Sequence, residues 1–276
     1  MSPDTPTPDR DLPDRNLPGA PFHTPERPRA RHEGTRRPGA RVPGPMLGGL
    51  SIVLPCLDEE DNLARVLREA RAAGRRVAAE CEIIVVDDGS QDATAVIAGA
   101  EAGVRVIRHG ANRGRGAAVR SGLLAARMPH VLFTDADGRF DMHQIVDMVP
   151  ELEGADIVVG SPRGHGETWG RRVADRLWNR SVRRLAPLPL RDPDCSFTLL
   201  RRDVLNGIEL HSDGRALGAE LLTKCLRAGA TVTEVGIDQR PRRGGGRRHS
   251  LLGGASGPRH ELAALRESID RTGETR

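Results

Sequence analysis

From Leu50 onward the chain reads as short apolar runs separated by amphipathic stretches, and this alternation limits the possible folds most. Ser51-Ile52-Val53-Leu54 predicts a buried strand closed by Pro55. Leu63, Val66, Leu67 and Ala70 then recur at helical spacing, up to a stop at Gly74. The same reading gives strands over Glu82–Val86, Val104–Ile107, Val131–Thr134 and Ile157–Val159, with helices over Ala93–Ala100 and Ala117–Ala126. Short strands alternating with helices imply a mostly parallel α/β sheet covered on both faces. In such sheets ligands bind outside the carboxyl ends of the strands. After Gly160 the pattern loosens into a helix over Arg171–Leu185, a strand over Cys195–Leu200, a helix over Leu217–Ala228 and a strand over Thr231–Ile237.

Polar clusters fall at those carboxyl ends. Asp135-Ala136-Asp137 follows Val131-Leu132-Phe133-Thr134, and side chains two apart along a strand share a face. Two carboxylates about 5 Å apart repel by roughly 3 kcal/mol at an effective dielectric near 20. A hard divalent cation such as Mg²⁺ or Mn²⁺ would offset that; a turn or a helix cap is the plainer use of the same residues. The first strand runs into Pro55-Cys56-Leu57-Asp58-Glu59-Glu60 and the second into Asp87-Asp88-Gly89-Ser90. A dinucleotide fold would need glycines at the first turn, and none is there; no P-loop pattern occurs either. Acidic residues at these turns can accept hydrogen bonds from a ribose or base, or cap the following helix. Asn112-Arg113-Gly114-Arg115-Gly116-Ala117 opens a helix with small residues and arginines, a combination that admits an anion close to the backbone.

Composition sets the remaining bounds. Over half of the 20 prolines lie before Met46, interleaved with arginines and with almost nothing apolar to bury, so residues 1–46 are expected to be a disordered arm. One α/β domain over 47–250 and a C-terminal helix or tail over 251–276 complete the expected organisation. No secretory h-region and no run long enough to span a membrane is present in the sequence. Four scattered cysteines without metal or redox spacing favour reduced thiols and a cytoplasmic setting. A net charge of +4 suits acidic ligands or an anionic lipid surface. Nucleic acid is disfavoured, because no Tyr, 4 Phe and 2 Trp leave few stacking platforms.

Taken together, the motifs resemble the family 2 glycosyltransferases of the GT-A fold. SIVLPCLDEEDN is similar to that family's opening segment, EIIVVDDGSQDAT to its VDDGS element, NRGRGAAVRSGLLAA to its helix start and TDADGRF to its D-x-D segment. DPDCSFTLLRR resembles an element of the polyprenol-phosphate sugar transferase branch, which includes dolichol-phosphate mannosyltransferase. The resemblance implies that Pro55, Glu59, Asp87 and Asp88 contact the nucleoside, with Gly114, Arg115 and Arg139 also on the donor side. Asp135 and Asp137 would face the diphosphate and its Mg²⁺ or Mn²⁺. Asp192 and Phe197 would form the acceptor side, with Arg163, Arg201 or Arg202 near phosphate. Arg139 departs from the pattern: related mannosyltransferases carry Gln there, and a guanidinium cannot ligate a metal.

The function implied is inverting transfer of a hexose from a GDP- or UDP-linked donor to an acceptor, foremost a polyprenyl phosphate met at the cytoplasmic face of a membrane. An anionic phosphate acceptor needs no strong general base; for a hydroxyl acceptor Asp192 or Glu220 could serve. Arg240 to Arg248 could meet anionic headgroups, or form a solvated loop. Transfer to a soluble acceptor and a catalytically silent sugar-nucleotide-binding protein are the alternatives.

Overall fold

A computed structural model describes residues 46–163, 169–186, 188–192, 195–241 and 257–271. The expected arm, except Met46, and the Arg-rich stretch beyond Pro241 lie outside the described residues.

The first strand, β1 (Leu47–Cys56), is buried at every position from Gly49 to Cys56. Full burial of consecutive residues means that both faces are covered, as the unbroken apolar run requires. Helix α1 (Glu60–Val77) places Leu63, Val66, Leu67, Ala70, Ala73 and Val77 inward, one stripe at helical spacing. Glu60 and Asp61 in its first turn and Arg75 and Arg76 in its last suit the helix dipole. Truncating fully buried Leu67 to Ala would cost about 2–5 kcal/mol. The helix passes through Gly74 rather than stopping there. A side chain on Gly74 would collide with Cys81 Sγ, so the glycine serves close packing of α1 on the next strand.

The chain continues through β2 (Ala78–Asp87), α2 (Thr94–Ala100), β3 (Val104–Arg108), α3 (Arg115–Ala125) and β4 (His130–Phe133). A single helical turn, α4 (Ile145–Met148), precedes β5 (Ile157–Pro162) and α5 (Trp169–Leu185). Then come β6 (Thr198–Arg201), α6 (Leu217–Arg227), β7 (Val232–Ile237) and α7 (Gly257–Arg271). The seven-stranded sheet has the order β3-β2-β1-β4-β6-β5-β7. Every pairing is parallel except those of β6, which runs against both β4 and β5. Pro55 lies inside β1 instead of closing it. Pairing with β4 ends at Val53↔Phe133, so on that side no ladder bond is asked of Pro55, which has no N–H to give.

The reversed β6 brings its amino end, Ser196 and Phe197, to the edge where β1, β2, β3, β4, β5 and β7 present their carboxyl ends. That edge collects nearly all of the polar clusters read from the sequence. The C-terminal helix belongs to the same body: Leu265 and Ile269 are buried in the main core, and Lys224 Nζ of α6 donates to Ser268 Oγ of α7 at 2.8 Å. Among the described residues no helix is long and apolar enough to cross a membrane.

Candidate active site

The turns after β1 and β2 are laced together. Ser90 Oγ and Thr94 Oγ1 accept from the amides of Asp58 and Glu59 at 3.0 and 2.8 Å. Asp92 Oδ2 accepts from the amide of Glu60 at 3.1 Å. In return Asp58 and Glu60 accept from the amides of Gln91 and Ala93 at 2.8 and 2.9 Å. These bonds tie the approaches of two helices to each other, while Asp92 Oδ1 also accepts from the Thr94 amide that begins α2 at 2.9 Å. Asp58 takes a left-handed backbone (φ 52°), which a short polar side chain tolerates. Glu59 is buried and accepts from Asn62 Nδ2 at 2.9 Å.

Asp87 and Asp88 are both buried and both hold backbone. Asp87 accepts from the Ser90 amide at 2.9 Å and from Arg108 Nε at 3.2 Å. Asp88 Oδ1 accepts from the Arg113 amide at 3.0 Å and Oδ2 from the Gly114 amide at 2.9 Å. His109 Nδ1 lies 2.6 Å from Asp88 Oδ1, and Nε2 lies 3.0 Å from Ser121 Oγ. A carboxylate accepts, so the hydrogen between them sits on Nδ1 of His109. Asp88 thus gathers the Gly-Arg loop onto the end of β2. Between the turn at Gly89–Gln91 and the segment Arg108–Asn112 lies an open groove of about 550 Å³. That is the size range of small-molecule sites, and its place outside the ends of β2 and β3 suits a nucleoside.

The first turn of α3 rests on a turn that sequence reasoning missed, Ser212 to Ala216. Gly114 has φ 102°, and a side chain there would strike Asp213 O. One on Gly116 would come within 2.6 Å of Gly214 O and 2.7 Å of Ser212 O. Asp213 O accepts from the Ala117 amide at 3.1 Å, and Glu261 of α7 accepts from the Ala216 amide at 3.1 Å. Only the polar, Gly-containing string His211-Ser212-Asp213-Gly214 hinted at a turn.

Asp135 and Asp137 converge, and what they converge on is a pair of arginines. Arg115 Nε donates to Asp135 Oδ1 at 2.7 Å. Arg139 spans both acids: Nε to Asp137 Oδ2 at 2.6 Å, its own amide to Asp137 Oδ1 at 3.0 Å, and Nη2 within 3.5 Å of Asp135 Oδ2. Burial alone would raise the Asp135 carboxyl. The charges of Arg115 and Arg139 and hydrogen bonds from Arg115 and Ser196 outweigh it and hold the group at about 2. The cluster is therefore an ionised, charge-balanced set at the carboxyl edge. Four hard carboxylate oxygens suit Mg²⁺ or Mn²⁺ in kind. Among the described residues no group of three or more acidic, His or Cys side chains gathers to hold a metal. A pair supplies part of a coordination shell, as befits a cation shared with phosphate oxygens. Nearby Cys56 is no nucleophile: burial, then Glu59, Asp87 and Asp135, push its thiol well up.

Other expected site residues fall elsewhere. Arg201 and Arg202 sit beside the amino end of β4, since His130 pairs with Arg201 across an antiparallel ladder. Their guanidiniums donate to Leu152 O at 2.6 Å and Ala126 O at 3.3 Å, so the expectation that they lie near the acceptor phosphate is corrected by the direction of β6. Phe197 is fully buried against Phe140, ring centroids 5.4 Å apart, and packs under the site rather than into it. Asp192 is contacted by Asn179 Nδ2 at 3.4 Å, and its amide donates to Glu234 Oε1 at 3.4 Å. Arg163 stays at the carboxyl edge, exposed, with its amide on Ile237 O at 2.7 Å. Glu220 is fully buried and accepts from the amides of His211 and Ser212 at 2.8 and 2.7 Å and from Lys224 at 2.8 Å. It builds the α6–α7 contact and is not placed as a base. Arg240 is tied to Glu69 and Asp141 at 3.1 and 2.5 Å.

The sheet order with its reversed β6 is that of the GT-A fold. Residues 51–208 match the sequence family described as Glycosyl transferase family 2, and the chain belongs to that family of enzymes. An uncharacterized glycosyltransferase of Mycobacterium tuberculosis is 36% identical over 206 residues, covering 71% of this chain and 87% of the relative. A dolichyl-phosphate beta-glucosyltransferase of Drosophila melanogaster is 33% identical, covering 68% of this chain and 66% of its own. An undecaprenyl-phosphate 4-deoxy-4-formamido-L-arabinose transferase of Pseudomonas fluorescens is 32% identical over 58% of this chain, which spans only 48% of that protein. Among solved structures, glucosyl-3-phosphoglycerate synthase of Mycobacterium tuberculosis, crystallised with Mn²⁺, uridine diphosphate and phosphoglyceric acid, superposes with a TM-score of 0.63. It shares 23% identity over 85% of this chain and 84% of that one, a likeness of fold.

Proposed function

We propose that this glycosyltransferase moves a hexose from a UDP- or GDP-linked donor to a polyprenyl phosphate, with inversion at the anomeric carbon. The observation that carries the donor half is the Asp135–Asp137–Arg115–Arg139 cluster standing at the same sheet edge as the nucleoside-sized groove. On this reading the nucleoside lies in that groove and its diphosphate reaches along the edge to the two arginines. In the reaction an acceptor phosphate oxygen, anionic at neutral pH, attacks the anomeric carbon. The bond from that carbon to the diphosphate breaks on the opposite face, and the nucleoside diphosphate leaves with the electron pair. Arg115 and Arg139 stabilise the charge gathering on the leaving group, the preorganised electrostatics that most often dominates such steps. A divalent cation held by Asp135 and Asp137 would add Lewis-acid stabilisation when bound. No proton has to be removed from the acceptor, so no side chain is assigned as base.

The acceptor half is supported by the names of the fly and Pseudomonas relatives and by α5. Arg176, Leu177, Arg180, Arg183 and Arg184 are all exposed on this helix, while Trp178 and Val182 are buried. A basic face with an exposed leucine favours an anionic lipid surface, each arginine near it adding about 1 kcal/mol. The test is radiolabelled transfer from UDP-glucose, UDP-galactose, GDP-mannose and UDP-N-acetylglucosamine. Each is offered undecaprenyl phosphate in anionic vesicles or 3-phosphoglycerate in solution. Product in the organic phase is the expected result; product only on the soluble acid would overturn the acceptor.

A further inference from the structure

All four oxygens of Asp135 and Asp137 already face a nitrogen: Oδ1 of Asp135 meets Arg115, its Oδ2 and the Oδ2 of Asp137 meet the Arg139 guanidinium, and Oδ1 of Asp137 meets the Arg139 amide. Three of the four face a guanidinium, so a divalent cation placed between the acids meets positive charge already there. The two arginines differ in what would let them go. Arg115 touches one acid and heads α3. Arg139 alone spans both acids, and its backbone is fixed: its carbonyl accepts from the Arg240 amide at 2.7 Å, and neighbouring Phe140 bridges to Gln239. Exchange is therefore a movement of the side chain, which is one-fifth exposed.

We infer that Arg139 is an internal cation that holds the place of the metal between Asp135 and Asp137 and exchanges onto the donor diphosphate when metal and nucleotide load together. The inference rests on the proposed diphosphate site. The charges balance in both arrangements. Without donor, the guanidiniums of Arg115 and Arg139 together match the two acids. With donor, a dication joins the acids, and the displaced guanidinium meets a phosphate oxygen, with which it can pair as well as with a carboxylate. Metal alone takes the acids from Arg139 and brings it no phosphate in return, so metal and diphosphate become reciprocally coupled ligands. A Gln at this position would neither block the acids nor supply the phosphate contact.

The test uses the full chain and reads binding, not turnover. Free Mn²⁺ is followed by electron paramagnetic resonance, with and without UDP or GDP, and nucleotide affinity is measured by calorimetry in excess EDTA. Arg139→Gln should bind Mn²⁺ alone at least 10-fold more tightly than the parent and bind UDP or GDP at least 10-fold more weakly in EDTA. The parent should show the larger tightening of Mn²⁺ when nucleotide is added. Arg139→Lys keeps the charge but has no fork to span two acids. It should shift Mn²⁺ affinity in the same direction, which keeps the test open if the Gln variant melts early. Equal Mn²⁺ affinity in parent and both variants overturns the inference, as does undiminished metal-free nucleotide binding by Arg139→Gln. None of these readings involves an acceptor. Transfer to polyprenyl phosphate with equal Mn²⁺ affinities would sink this inference alone, and coupled binding without such transfer would sink the acceptor assignment alone.

Discussion

Replacing Asp88 separates two ways in which a buried acid can serve a donor site. Its two oxygens accept from the amides of Arg113 and Gly114 and from His109, so its first effect is to fix the loop that begins α3. Hydrogen bonds to a charged group contribute roughly 1.5–3 kcal/mol each. Losing the two amide bonds would cost about 3–6 kcal/mol, but Arg113 is exposed and its amide can turn to water. Asp88→Ala is therefore expected to lower stability by about 2–3 kcal/mol, or roughly 5–10 °C in Tm for a domain of this size. Asp88→Asn keeps the shape but turns one acceptor into a donor, and should lose about half as much. Hydrogen exchange followed by mass spectrometry on the peptide around 112–116 should show faster exchange in both variants, with UDP or GDP affinity falling in parallel. Weaker nucleotide binding with unchanged exchange and unchanged Tm would refute the reasoning, because it would mean that Asp88 touches the nucleoside directly.

Three further outcomes are expected. Glu220 is held at about 2 against its ordinary 4.5 by hydrogen bonds from Lys224, Ser268 and Ser212 that outweigh its burial. A depressed carboxylate lends stability above its unfolded value and loses it on acidification toward the folded one. About 3 kcal/mol should therefore disappear between roughly pH 4.5 and pH 2; denaturant midpoints across that range should be flatter in Glu220→Gln. Gly116→Ala would press a methyl into the backbone of Ser212–Gly214, costing about 1–3 kcal/mol by overpacking. Donor KM should rise as the start of α3 shifts, and an unchanged Tm and KM would show the contact to be slack. Asp137→Asn should reduce transfer at least about 100-fold, near 2.7 kcal/mol of lost transition-state stabilisation, with the melting curve close to the parent's. Full turnover of that variant in excess chelator would remove both the acid and the metal from the mechanism.

Much of this was readable from residue pattern because local and global signals agree. The apolar runs at Ser51–Leu54, Glu82–Val86 and Val104–Ile107 pair in the expected parallel sense, and the acids after them reach one edge. Period and turn chemistry say where a strand is but not which way its neighbour runs. Cys195–Leu200 was legible as a strand, yet its reversal was not, and that reversal carries Ser196 to Asp135 while carrying Arg201 to the far end. Gly74 signals a helix stop by composition, but the thiol of Cys81 packs where its side chain would be. The pairing of Asp135 and Asp137 with arginines depends on residues 20 and 2 to 4 positions away folding onto them, and the Ser212–Ala216 turn under α3 lies about 100 residues further on. No short window holds Arg115 with Asp135 or the Ser212–Ala216 turn with α3, although Arg139 lies beside its acids.

The reversed strand also sets an order of events during synthesis. β1 to β4 can pair as soon as they emerge, since each adjoins a strand already made or soon to follow. The outer edge of β4 then has no neighbour until β6 arrives, more than 60 residues later, and β6 must be in place to join β5 and β7 to the sheet. For that interval His130–Phe133 offers an open ladder to any other nascent chain, and such edges are where aggregation starts. Pulsed hydrogen exchange during refolding should find β1 and β2 protected first and β5 to β7 last; simultaneous protection would remove the hazard. Overexpression at reduced temperature, with fewer exposed edges in circulation at once, follows as the practical remedy.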